Sequence, residues 1–149
     1  NGRLTGDNIW YSEEGYIKES GFYEEGKING NAYFTRENGC SSYDGEFTDG
    51  ELSGKVRIYN NKGILHMSKS FKNNEISGPI KEFYNNGQTL SCVNAVNGLN
   101  EGELYVFSPK GDTLKIQSFS KGKPTGVHLE YHSNGKIKKV EKLLLKLII

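Results

Sequence analysis

The sequence predicts an all-β fold: a single-layer, twisted antiparallel meander of about six 24-residue β-hairpin repeats, elongated along the stacking direction. Three observations predict it. Glycine recurs every 24 residues in three registers: Gly2, Gly26, Gly50, Gly98 and Gly122, with Asn74 in the remaining place; Gly6, Gly30, Gly54, Gly78, Gly102 and Gly126; Gly15, Gly39, Gly63, Gly87, Gly111 and Gly135. Glycine kept in register means backbone shape kept in register, because Gly alone reaches positive φ at no steric cost. Between the glycines run short segments rich in β-branched and aromatic residues, with no helical period. Finally, 34% hydrophobic residues and a mean hydropathy of −0.65 are thin for a compact core in a chain of 149 residues.

Each repeat opens on a strand closed by a glycine turn. The first reads Gly-Asp-Asn-Ile-Trp-Tyr-Ser-Glu-Glu-Gly from Gly6 to Gly15. At Asn38-Gly39, Asn86-Gly87 and Asn134-Gly135 the dipeptide predicts type I′ hairpin turns, which need positive φ at both central residues. A second strand runs to an apolar position held by Tyr23, Phe47, Phe71, Ala95, Phe119 and Leu143. A G-x-x-x-G loop follows and starts the next repeat, with Leu4, Ile28, Leu52 or Ile76 tucked inside it. Pro79, Pro109 and Pro124 all read as turn or strand-start positions. The reading is one array over residues 1–149, with repeats starting near 2, 26, 50, 74, 98 and 122. The chain enters part-way into a repeat at Asn1-Gly2-Arg3 without an initiator Met, as a fragment or processed form would.

Five residues after each glycine of the second register stand Tyr11, Thr35, Tyr59, Phe83, Phe107 and Tyr131. Equivalent positions of a regular sheet face the same way, so these rings are expected to form a stripe across the strands. The stripe serves either as the sheet's own core, ring on ring between hairpins, or as an open binding surface made of Tyr11, Tyr59, Phe83, Phe107 and Tyr131.

No constellation for catalysis converges. His128 and His132 are four apart on what reads as one strand, about 13 Å at 3.3 Å per residue, too far to share a metal, and His66 is remote in sequence. No cofactor or metal is expected. Neither a nucleophile elbow nor the Lys-Ser/Thr of a phosphate loop is present. Cys40 and Cys92 lie two repeats plus four residues apart, about 19 Å along the array, so two free thiols are expected.

Charge is uneven although the net is +1. Residues 1–50 hold 10 acids against 4 bases, a balance of −6; residues 51–149 hold 8 acids against 15 bases, +7. Lys136, Lys138, Lys139, Lys142 and Lys146 form a basic end beside Leu143-Leu144-Leu145 and Leu147-Ile148-Ile149. That end reads as a solvated, capped terminus, a head-to-tail self-association surface meeting Glu13, Glu14, Glu24 and Glu25, or a patch for an anionic lipid surface. No stretch reaches the 18 or so apolar residues of a membrane-spanning helix.

The stretch Tyr43-Asp-Gly-Glu-Phe-Thr-Asp-Gly-Glu-Leu-Ser-Gly-Lys-Val-Arg-Ile-Tyr59 resembles the MORN repeat, Tyr-x-Gly-x-aromatic-x-x-Gly-x-x-x-Gly-x-Gly, departing from it at Val56. Copies such as Tyr84-Asn-Asn-Gly87 and Tyr131-His-Ser-Asn-Gly135 are similar to the divergent bacterial branch labelled YwqK-type antitoxins. The resemblance spans essentially the whole chain. It implies a non-catalytic module for protein interaction or scaffolding, with an anionic membrane surface or a toxin partner as alternatives. The expected partner is another protein and no nucleic acid, in a bacterial cytoplasm or after export.

Overall fold

A computed structural model describes residues 2–143 and contains strands without helices. The strands are β1 (Gly6–Tyr11), β2 (Ile17–Glu24), β3 (Lys27–Thr35), β4 (Ser41–Thr48), β5 (Glu51–Tyr59), β6 (Leu65–Lys72), β7 (Glu75–Phe83), β8 (Thr89–Val96), β9 (Leu99–Phe107), β10 (Thr113–Ser120), β11 (Lys123–Tyr131) and β12 (Ile137–Leu143). Their order in the sheet is their order in sequence, so the antiparallel meander of hairpins expected from the repeat is the observed topology. The chain divides after Glu75 into two compact units, each described below by itself.

The turns exchange the roles expected of them. At Asn38-Gly39 positive φ falls on Gly39 (75°) and not on Asn38. Gly39 N–H donates to Arg36 O and Arg36 N–H to Cys40 O, both at 2.9 Å, which is a three-residue loop with a glycine bulge rather than a type I′ turn. Asn is useful there for its side chain: Asn38 Oδ1 accepts from Cys40 N–H at 3.1 Å. The type I′ geometry sits at the other margin. Glu25 and Gly26 have φ of 49° and 83°, with Glu24 opposite Lys27, and the pairs Asp49-Gly50, Asn97-Gly98 and Lys121-Gly122 repeat that pattern. Asn74, which breaks the first glycine register, holds the same left-handed torsion at φ 64°. Asn reaches that region more readily than other side chains.

G-x-x-x-G is therefore not a loop. Its first glycine closes the turn and its second lies inside the next strand, where β2 and β3 pass from Gly21 opposite Ala32 to Phe22 opposite Asn29 and leave Gly30 and Asn31 as a bulge. Pro79 stands where Asn31 stands two repeats earlier, so it is inside β7 at a bulge position instead of at a strand start. Pro124 is the second residue of β11, ahead of Gly126, where pairing to β12 begins.

A one-layer sheet has no opposing layer to bury its apolar side chains, and the first unit buries them on neighbouring glycines. A methyl built on Gly45 would meet Val56 at 3.1 Å and Leu52 at 3.3 Å; one on Gly21 would meet Ile28 at 3.1 Å and Ala32 at 3.2 Å. Ala32 (3% exposed) and Val56 (4%) are buried this way, as the missing side chain of one strand makes room for that of the next. On the same face Phe34 stacks on Tyr43 with centroids 4.4 Å apart and reaches Phe47 at 6.1 Å, while Trp10 meets Tyr23 edge-on at 5.3 Å. In the first unit the core is thus a glycine–aliphatic row flanked by cross-strand aromatic pairs; in the second unit Ala95 (1% exposed), Gln117 and His128 are buried.

Candidate interaction surface

Strand alternation puts Asp7, Ile9, Phe22, Tyr33, Asp44 and Arg57 on the face opposite that core, because Asp7 faces Phe22, Tyr33 faces Asp44 and Asp44 faces Arg57. Together with Ser20 and Asn31 they line a groove of about 670 Å³ in the first unit. Its floor is apolar where Ile9 and Phe22 stand 51% and 43% exposed. Its far rim is charged and fixed. Arg57 Nε donates to Asp44 Oδ1 at 2.7 Å, and the Tyr59 hydroxyl donates to Asp44 Oδ2 at 2.5 Å. Burial, and then this hydrogen bond to a carboxylate, push the Tyr59 phenol up to about 12, and the Asp44 bond raises Arg57 too. Both lock the charged pair in place at neutral pH, with half of the Arg57 side chain left exposed.

Successive hairpins are also strapped at one margin. Arg36 donates from Nη1 to Ser41 O at 2.7 Å and from Nη2 to Tyr59 O at 2.9 Å. In the second unit Tyr84, two repeats after Arg36, donates to Phe107 O at 2.8 Å. Both side chains reach the carbonyl that ends the next repeat's first strand.

The expected stripe residues do end these strands: Tyr11 closes β1, Tyr59 β5, Phe83 β7, Phe107 β9 and Tyr131 β11. They do not form a packed ladder. Among the described residues no ring contact joins two of them, since equivalent positions are separated by an intervening strand, and Phe107 stacks instead on Tyr105 at 6.2 Å. Tyr11 is 60% exposed, and the others are half-buried. Thr35, the gap in the stripe, bonds through its hydroxyl to Ile17 O.

Of the basic end, Lys146 lies outside the described residues, as do Leu144, Leu145, Leu147, Ile148 and Ile149. Lys136 follows the last hairpin tip, while Lys138, Lys139 and Lys142 are on β12. Two of them are paired: Lys138 with Glu130 at 3.4 Å and Lys139 with Glu141 at 2.7 Å. His132 belongs to the hairpin tip, where its N–H donates to Lys136 O, so it does not share a strand with His128. Cys40 and Cys92 are free thiols.

Sequence reasoning missed a second polar arrangement. His128 occupies the repeat position of Ala32, Val56, Ile80 and Leu104, and Gln117 that of Gly21, Gly45, Lys69 and Val93. Gln117 Nε2 donates to Ser118 O at 2.9 Å and Thr125 O at 3.2 Å, which turns Oε1 toward His128 Nδ1 at 2.6 Å. On the other side Nε2 of His128 lies 3.0 Å from Glu130 Oε1. The hydrogen bond from His128, and next that from Lys138, hold the Glu130 carboxyl below its usual range. The available signal was a polar pair standing where the preceding repeat has Val93 and Leu104. No group of three metal-ligating side chains is found among the described residues.

No family model and no curated protein matches this chain. Among solved structures it is similar to a chain described as "Crystal structure of GtfA/B complex bound to UDP and GlcNAc", at 12% identity and a TM-score of 0.33, over 75% of this chain. The match spans 22% of that chain's length.

Proposed function

We propose that the chain is a non-catalytic module of MORN-like hairpin repeats, akin to the YwqK-type bacterial branch, that takes a protein partner on the exposed sheet face of residues 1–75. The observation that carries this reading is the groove floored by Ile9 and Phe22 and rimmed by the Asp44–Arg57 pair. Exposed apolar residues beside a half-exposed arginine match the composition of protein-binding patches, where aromatic and Arg anchors dominate. An antitoxin-like role, in which the partner is a toxin, is one form of this function.

The test is affinity capture with the intact chain against Phe22→Asp and Arg57→Ala. The expected result is one protein retained by the intact chain and lost by both variants at unchanged melting temperature. Capture indifferent to both substitutions overturns the groove. Retention of anionic vesicles in place of any protein favours a lipid-surface function.

A further inference from the structure

The charges of the groove face are not all spent on one another. Asp44 has both carboxylate oxygens engaged, one by Arg57 Nε and one by the Tyr59 hydroxyl. Asp7 and Glu46 are exposed and form no hydrogen bond or salt bridge among the described residues. Both belong to the groove face, since Asp7 is opposite Phe22 and Glu46 opposite Asn31, two residues that line it. Any side chain on Gly54 would collide with Glu46, so the glycine leaves that carboxylate its place at the rim. Lys55, next along β5, makes no salt bridge with it.

We infer that the groove takes an extended stretch of partner chain carrying a basic, an apolar and a basic residue at alternate positions. The inference rests on the reading of the groove as a protein-binding surface and names the chemistry of its partner. From β1 to β4 is three strand spacings, which sets Asp7 and Glu46 about 14 Å apart across the strands. Residues i and i+4 of an extended chain point to the same side and lie about 13 Å apart. A segment crossing the strands therefore brings a Lys or Arg to each carboxylate. Its residue i+2, on the same side, comes down on the apolar floor of Ile9 and Phe22.

Arg57 serves the same segment from the next strand. Its Nη1 and Nη2 have no acceptor among the described residues, because only Nε is bonded to Asp44. A segment lying across the strands makes no ladder with the sheet, so its main-chain carbonyls are open to these donors. Neutral carbonyls suit this edge better than another carboxylate, since Asp44 and Glu46 already lie within electrostatic reach of the guanidinium. The 10 acids against 4 bases of residues 1–50 draw a cationic partner toward the face and repel an anionic one.

The experiment titrates the full chain with three blocked peptides. The first is acetyl-Ser-Lys-Thr-Leu-Thr-Lys-Ser-amide, and the second has Glu at both Lys positions. The third, acetyl-Ser-Thr-Lys-Leu-Lys-Thr-Ser-amide, keeps the composition but sets the lysines on the side opposite the leucine. The first is expected to bind at least about tenfold more tightly than the other two, by an advantage that shrinks with added salt. Its binding is expected to move the amide resonances of Asp7, Phe22 and Glu46. Asp7→Lys with Glu46→Lys is expected to turn the preference to the glutamate peptide at unchanged melting temperature, and Asp7→Asn with Glu46→Gln to abolish it. No binding of the first peptide, equal binding of all three, or a preference that survives both pairs of substitutions overturns the inference. The underlying reading fails differently. Protein capture indifferent to Phe22→Asp and Arg57→Ala removes the groove and the inference together, whereas capture that needs Phe22 but survives Asp7→Lys with Glu46→Lys removes the basic segment alone.

Discussion

The Tyr59 hydroxyl donates to Asp44 Oδ2 at 2.5 Å while Arg57 holds the other carboxylate oxygen, so a strand-ending ring is part of a three-residue polar brace rather than of an aromatic ladder. Two consequences can be measured. Burial and the Asp44 bond raise the folded-state Tyr59 pKa from 10.0 to about 12. A raised tyrosine favours the fold fully below its unfolded pKa, and that contribution is lost as pH rises from about 10 through about 12. Alkaline unfolding followed by tyrosinate absorbance is expected to show a late-titrating component to which Tyr23, also raised to about 12 by burial and its Glu19 bond, contributes as well, and Tyr59→Phe is expected to reduce that component by one tyrosine. The same variant is expected to weaken the Arg57–Asp44 pair and to lower groove binding several-fold.

Phe34 and Tyr11 test where aromatic stabilisation resides. Phe34 packs on both Tyr43 and Phe47, and Phe34→Ala is expected to cost about 2 kcal/mol, less than the full range for buried rings because the site is half open. Tyr11 is 60% exposed, and Tyr11→Ala is expected to change stability by about 0.5 kcal/mol or less. Denaturant melts of the two variants check the order; a reversal would return the core to the stripe.

Gly39 and Gly63 hold the same repeat position with φ of 75° and 73°, yet their surroundings differ. A methyl on Gly39 would lie 2.7 Å from Tyr16 Cδ1, whereas Gly63 has nothing within 4 Å. Both Ala variants are expected to lose about 1–2 kcal/mol from the left-handed torsion. Gly39→Ala is expected to lose more, and Tyr16→Ala in the same background removes the difference. Thermal melts of the four proteins decide it.

Gln117 and His128 act as one unit. His128→Leu leaves a buried amide oxygen without its partner and is expected to cost about 1–3 kcal/mol. Adding Gln117→Val copies Val93 and Leu104 of the preceding repeat and is expected to recover most of the loss. Since His128 is the first cause of the lowered Glu130 carboxyl, His128→Leu is also expected to raise the Glu130 titration toward 4.5, read by carbon NMR. The corresponding stability, present above the unfolded carboxyl pKa and lost as pH falls through the lowered one, then shrinks as the folded and unfolded values converge. Additive single effects would separate the two residues.

Strand number and strand order were legible because left-handed backbone positions are visible as glycine. What was misassigned follows from the same fact: a glycine reports positive φ but not which turn it serves. Asn38-Gly39 and Asp49-Gly50 look alike in sequence, and only the residue before the glycine, right-handed at Asn38 and at φ 52° in Asp49, distinguishes them. Bulges were invisible because no side chain marks them; Pro79 was the one hint. The groove stayed hidden for a geometric reason. Asp7, Phe22, Asp44 and Arg57 come from different repeats and meet only through cross-strand register, whereas the eye follows identical positions down the array. Gln117 and His128 stand out once each is compared with its own repeat frame.

The uniform bulge and turn pair bears on how such a chain changes over generations. Each period ends on the torsions with which the next begins, so an in-frame gain or loss of one whole period, cut at any phase, splices matching backbone to matching backbone. Gains or losses of any other length put a side chain where a left-handed torsion must be. Unequal recombination is thus filtered to multiples of 24 residues, and copy number can drift between lineages while substitutions on the two faces accumulate independently.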